Sequence, residues 1–285
     1  MRKYFFVAAI LMAATAVKAQ KTVPFKLKFL PNHTYTITGN TVTDSRINSV
    51  GKGNAMKKGS QKRSLESKGN TAMGYIIKTG PVGADGNFPF TVTITNFSSK
   101  NIVNGVAQAA PKNNPVVGAI SRGLCTRDGQ MQTQSVTFPN ADAKTQKAVL
   151  NMVNKLGDEI KFPNRPMKIG ESFTQEKPFN VVNGQKSIGI KTTVIYTLKA
   201  VKGNLAYFDT KEAITMNIAT PKPTGNADMK TTGNGKGTMI YDIAHNMAIA
   251  KADDLDMKMD MHVGTMTMAI DANTAVSYKA RISAK

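Results

Sequence analysis

The sequence predicts a mainly β protein: one large curved antiparallel sheet, half-barrel or barrel-like, carrying a single amphipathic helix. Three observations lead there. Alternation of apolar and polar residues recurs along most of the chain, as expected for strands with one buried face. Turn-forming Gly, Asn, Asp and Pro punctuate these runs. Only one stretch, with Val149, Met152, Val153 and Leu156, carries the i, i+3, i+4, i+7 spacing of a helical face.

The elements follow in order. Residues 1–19 read as a cleaved secretory signal, with Arg2 and Lys3 ahead of a ten-residue apolar run from Phe5 to Ala14. Val17 and Ala19 are the small residues before a cut between Ala19 and Gln20. The apolar run is well short of the roughly 20 residues needed to span a bilayer. Gln20 stands where a lipid-anchored protein would need Cys, so the expectation is export to a periplasm or beyond, neither membrane-spanning nor lipid-anchored. Residues 20–285 then form a single β-rich domain, read either as one unit or as two similar halves around the helix.

Val23, Phe25, Leu27 and Phe29 alternate as a first strand, and Thr34 to Val42 form a second. Residues 51–69 hold Lys52, Lys57, Lys58, Lys62, Arg63 and Lys68 against Glu66, and predict either an exposed loop or two polar edge strands. Phe90 to Thr95 is β-branched and strand-forming. Arg127-Asp128-Gly129 reads as a hairpin turn. The helix is predicted over 141–156, capped by Asn140 and stopped at Gly157. Lys191–Lys199 and Leu205–Ile218 flank a turn at Lys202-Gly203-Asn204. Thr238–Tyr241 leads through Asp242–Asn246 into a long strand from Met247, Gly264 turns the chain, and Val276, Tyr278, Ala280 and Ile282 close it. A faint repeat links Tyr75–Lys78 and Gly86–Phe90 with Tyr196–Lys199 and Gly203–Tyr207.

Composition limits the chemistry. The 285 residues include three His, one Cys and no Trp, which excludes a disulfide scaffold and a Cys-rich metal module. Cys125 reads as a small buried hydrophobe. Gly118–Gly123 has one residue too many for a nucleophile elbow, and Gly233–Thr238 lacks the Lys-Ser/Thr step of a phosphate loop. The glycines of the latter mark a close backbone approach or a bulge. No catalytic residue and no cofactor is therefore assigned. Asp253, Asp254, Asp256 and Asp260 form an acidic cluster, with Asp254, Asp256 and Asp260 on one strand face beside Lys258, read as a solvated face. Asp253, Asp254 and Asp256 are the candidates should the chain prove an enzyme.

Nine of the 16 methionines lie between 216 and 268. Met257, Met259 and Met261 share a face, continued by Leu255 and Val263, and read as a core stripe. The alternative is a Cu(I) site made by these three with His262, thioethers being soft ligands. Removing the signal leaves 35 basic residues against 18 acidic, a charge of +17 that favours anionic envelope surfaces or lipid head groups. The basic run 51–69 has no aromatic residue for base stacking, so no nucleic-acid partner is expected.

Phe162-Pro163-Asn164-Arg165-Pro166-Met167-Lys168-Ile169-Gly170-Glu171-Ser172-Phe173 resembles the F-P-x-x-P-x-x-x-G-[DE]-[ST]-[WF] segment of secreted or lipid-anchored bacterial envelope proteins without an assigned function. The resemblance extends in layout to the late Gly235, Gly237, Tyr241 and Asp242, and departs at Phe173, where Trp is usual. It implies export and a β-rich fold, and no catalytic residues. Physically, Pro163, Pro166, Gly170, Glu171 and Phe173 make an architectural corner. A more distant analogy is to the curved sheets of periplasmic lipoprotein carriers. The functional expectation is a non-catalytic envelope protein that binds an apolar or amphiphilic ligand such as lipid. The alternative is a packed structural or protein-interaction module.

Overall fold

The computed structural model describes residues 22–50, 63–109, 116–127, 129–138, 146, 150, 153, 160–183, 186–220, 227–263 and 266–284. All the described strands belong to one antiparallel sheet, which is curved and not closed. In chain order they are β1 (His33–Val50), β2 (Arg63–Thr79), β3 (Phe88–Val103), β4 (Val106–Ala107), β5 (Ile120–Cys125), β6 (Met131–Thr137), β7 (Ser172–Asn183), β8 (Lys186–Lys202), β9 (Leu205–Thr220), β10 (Ala227–Asp242), β11 (Met247–Val263) and β12 (Met266–Ala284). Their spatial order is β6-β5-β3-β2-β1-β12-β11-β10-β9-β8-β7, with β4 paired to β3. The first and last long strands thus meet at the centre, His33 opposite Ala284 and Val50 opposite Thr267.

The predicted turns are present. Gly203 and Asn204 join β8 to β9 with Gly203 at φ 58°, and Asn246 at φ 52° completes the turn into β11. Thr126 and Gln130 clasp the turn between β5 and β6. Both arms of the faint repeat are hairpins, β2–β3 and β8–β9, and each buries its tyrosine, Tyr75 or Tyr196. Gly264 and Asp128 lie outside the described residues. Of the predicted helix, Gln146, Leu150 and Val153 are described; all three are helical, and Val153 is fully buried.

The core gathers at one end of these long strands, in two clusters on the same face. One contains Tyr35, Ile37, Tyr75, Ile77, Phe90, Val92 and Val153; the other contains Val194, Tyr196, Leu198, Phe208, Met239 and Tyr241. We call this the inner face. The segment predicted as the first strand crosses both clusters instead of joining the sheet: Val23 and Phe25 sit in the second, Phe29 in the first. Its alternation still buries Val23, Phe25 and Phe29, with Leu27 partly covered, but its backbone bonds go elsewhere. Val23 bridges Met167, the Lys28 amide donates to Asn246, and Tyr241 Oη bonds the backbone of Lys26. A second expectation is corrected in part. Residues 63–69 are the start of β2: Arg63 to Glu66 pair with β1 alone, as an edge does, and from Ser67 the strand lies inside the sheet between β1 and β3. Glu66 and Lys68 are tolerated there because they face solvent opposite Arg46 and Asp44.

Candidate functional site

Between the two core clusters the inner face encloses a cavity of about 380 Å³. Met73 and Tyr75 of β2 and Phe97 of β3 stand on one side, Tyr196 of β8 on the other, and Tyr278 and Lys251 between them. Strands so far apart in the order reach one cavity because the sheet curls strongly around it.

One end of the cavity is charged. Lys251 Nζ lies 2.9 Å from Glu212 Oε1 and 2.6 Å from Asp253 Oδ2, while Thr210 Oγ1 donates to Asp253 Oδ1 at 2.8 Å. The carboxylate side chains keep only 8% and 3% of their exposure, and Lys251 keeps 26%. Burial by itself would lower the ammonium's pKa; the two carboxylates outweigh it and hold Lys251 above the ordinary lysine range. The local sequence makes room for this cluster. A Cβ on Gly237 would run into Asp253 Oδ1 and the Ala252 carbonyl, and one on Gly235 would run into the Leu255 side chain. The Gly-x-Gly run is thus the close approach expected of it, and what approaches is the buried acid.

Beyond the cavity, β11 continues outward with Leu255, Met257, Met259 and Met261 on the inner face, all half-buried. The register sets Met257 beside Ala272 and Gly233, Met259 beside Ile270 and Thr231, and Met261 beside Met268 and Met229. With Ile214 of β9 this makes an apolar lane across β9 to β12. The neighbouring part of the same face, on β1 and β2, carries Thr41, Thr43, Ser45, Ser67 and Thr71 nearer the cavity and then Ile47 and Leu65 beside Ile270. No second sheet among the described strands lies over the lane. The methionines expected to be a core stripe are therefore half-open to solvent.

The remaining sequence candidates fall as follows. His262 is exposed on the opposite face, bonded to Thr267 Oγ1 at 3.2 Å, so the strand pleat separates it from Met257, Met259 and Met261. The methionines that Met261 meets, Met229 and Met268, were hidden from the sequence because only register brings them together. Asp254, Asp256 and Asp260 are exposed on the outer face with Lys258, as alternation requires; Asp253 is the odd one, turned inward. Their outer face is a mixed-charge surface in which Asn273 donates to Asp256 and Arg46 pairs with Glu66. Sequence reasoning missed Lys251, Glu212 and Thr210 altogether, since none carries a motif.

Cys125 is buried at the end of β5, and burial pushes its thiol up to about 11. Ser121 lies buried within β5, not on an elbow. The structure brings His33 and His245 together, ring centroids 5.9 Å apart, but each is engaged at Nδ1, with the Pro31 carbonyl and Asp242 respectively. Among the described residues no group of His, Cys, Asp and Glu is arranged to hold a metal ion.

The Pro163–Phe173 segment is a corner. Gly170 adopts φ 91° and donates to Leu198, whose own amide donates to the Glu171 carbonyl at 2.9 Å. Glu171 Oε2 accepts from Arg165 at 2.8 Å and from the Lys168 amide at 3.0 Å, and these bonds hold its carboxyl below the usual range. Phe173 then stacks on Tyr196, with centroids 4.8 Å apart, which ties the corner to a wall of the cavity. Ala19 and Gln20 lie outside the described residues.

No family model and no curated protein matches the chain. Among solved structures, one concerned with lipid–protein interactions in lipovitellin is similar, with a TM-score of 0.49 and 10% identity over 90% of this chain. The match covers 26% of that chain, so this protein spans about a quarter of its length. No helix among the described residues is long and apolar enough to cross a membrane.

Proposed function

We propose that this chain is an exported, non-catalytic envelope protein that holds an apolar or amphiphilic ligand, a lipid being the simplest, against the inner face of its sheet. The observation that carries the reading is that the side of β11 lining the cavity runs on into the methionine lane. A concave, aromatic-walled space of about 380 Å³ is lined on β11 by Lys251 and Asp253, and the same side of that strand continues with half-buried Leu255, Met257, Met259 and Met261. Apolar residues along one side of a long strand are favoured when something covers them, and thioether side chains repack around occupants of varied shape. The signal-like N-terminus supports a compartment in which such compounds must cross water. The excess of 38 basic over 18 acidic residues in the chain supports approach to anionic envelope surfaces.

Native mass spectrometry of protein recovered from its own envelope without detergent tests this. The expected result is a homogeneous adduct that extracts into organic solvent and exchanges with added lipid. A clean apo mass together with no uptake of lipid probes ends the reading.

A further inference from the structure

The overall charge suggests that the ligand's polar end is anionic, but the cavity says otherwise. Its charged end holds one ammonium, Lys251, between two carboxylates, Glu212 at 2.9 Å and Asp253 at 2.6 Å. Among the described residues that line the cavity Lys251 is the only cation, and Lys199 and Lys191 lie on the outer face, paired with Asp209 and Glu176. Both inner carboxylates are almost wholly shielded from water, so their joint excess of one negative charge is weakly screened at the cavity wall. The Lys251 ammonium has three N–H donors and two carboxylate partners, which leaves one donor for a neutral acceptor that reaches it but no positive charge left over for an anion. From this point Lys251, Asp253, Leu255, Met257, Met259 and Met261 follow one another along the same side of β11, polar at the cavity and apolar beyond. That order matches a molecule with one polar end and one chain.

Resting on the ligand-binding reading above, we propose that the site selects single-chain amphiphiles whose polar end is uncharged or cationic, seated at Glu212, Lys251 and Asp253, and discriminates against anionic ends. The net positive charge of the chain governs encounter with envelope surfaces; the buried cluster governs which molecule is kept.

The test uses the mature full chain and displacement of the neutral dye Nile red by three probes of equal chain length, each below its micelle-forming concentration: monopalmitin, cetyltrimethylammonium and cetyl sulfate. Monopalmitin and cetyltrimethylammonium should displace the dye at similar concentrations, and cetyl sulfate should need about tenfold more, the penalty expected for a like charge at a poorly screened site. In Asp253→Asn the cluster is neutral, and cetyl sulfate should gain most of that factor back. Glu212→Gln provides the same neutralisation should Asp253→Asn fail to fold. Equal or stronger displacement by cetyl sulfate in the native protein overturns the inference, as does an unchanged ratio in a folded neutralised variant. If neither Nile red nor any probe binds, the ligand-binding reading itself fails and takes this one with it; dye binding without discrimination removes only the selectivity.

Discussion

Replacing Lys251 with Met tests whether the buried cluster is as tightly interdependent as its distances indicate. The substitution keeps an unbranched side chain, one atom shorter, and removes the ammonium that bridges Glu212 and Asp253. Breaking a buried pair by deleting one partner typically destabilises by about 3–5 kcal/mol, because the other charge is left desolvated and alone. Lys251 keeps 26% side-chain exposure, so the lower end, about 3 kcal/mol, is the expected loss for Lys251→Met at neutral pH. In thermal unfolding of a chain this size that is on the order of 10 °C. The linkage has a definite sign. Folding raises the ammonium's pKa above the ordinary value of 10.5, so the native protein binds the proton more tightly than the unfolded chain does. The lysine's contribution is fully present below that value and fades as pH climbs through the folded one. The gap between the native protein and Lys251→Met in urea titrations should therefore stay constant through neutral pH and narrow in strong alkali. Adding Asp253→Asn to Lys251→Met should recover part of the loss, since one stranded carboxylate is gone. A deficit under about 1 kcal/mol, or a double variant as unstable as the two single losses added together, would refute the reasoning.

Other consequences are accessible to the same preparations. Gly237→Ala should lose about 1–3 kcal/mol by overpacking, because its Cβ meets the Ala252 backbone as well as Asp253; a neutral effect in urea titrations would show that β10 and β11 have room to part. Met257→Lys with Met259→Lys should leave circular dichroism unchanged, as both sites are half-open, while weakening Nile red binding about tenfold by placing charge in the apolar lane; unchanged affinity would move the ligand elsewhere. With its thiol pushed up to about 11 by burial, Cys125 should resist Ellman's reagent at pH 8, where on the order of one thiol in a thousand is ionised, and react promptly in urea.

The sequence by itself determined the class of this fold and most of its punctuation. Alternation of period two specifies strands with two unlike faces, and Gly203-Asn204, Asp242–Asn246 and the Pro163–Phe173 corner are marked by local backbone preferences, to which distant bonds such as Gly170 to Leu198 and Lys28 to Asn246 are added. The spacing of Gly235 and Gly237 likewise announced a close approach. What only the tertiary structure decided is which partners those faces meet. Period two says that Met257, Met259 and Met261 point the same way, but not whether anything covers them, and the half-open lane differs from the closed core that the pattern suggested. The run from Val23 to Phe29 has a strand's alternation, yet its backbone is satisfied by Met167, Asn246 and Tyr241, far along the chain. Arg63 to Gly69 looks like an edge by charge, and its last part lies inside because β3 arrives beside it from Ser67 onward. Asp253 sits among acids in sequence, and its true companions, Lys251 across one residue and Glu212 and Thr210 two strands away, are set by the register of β9, β10 and β11. Register and strand order are non-local quantities: they arise from summed burial and hydrogen bonding over the whole sheet, and a one-residue slip would exchange the faces while leaving every local preference intact.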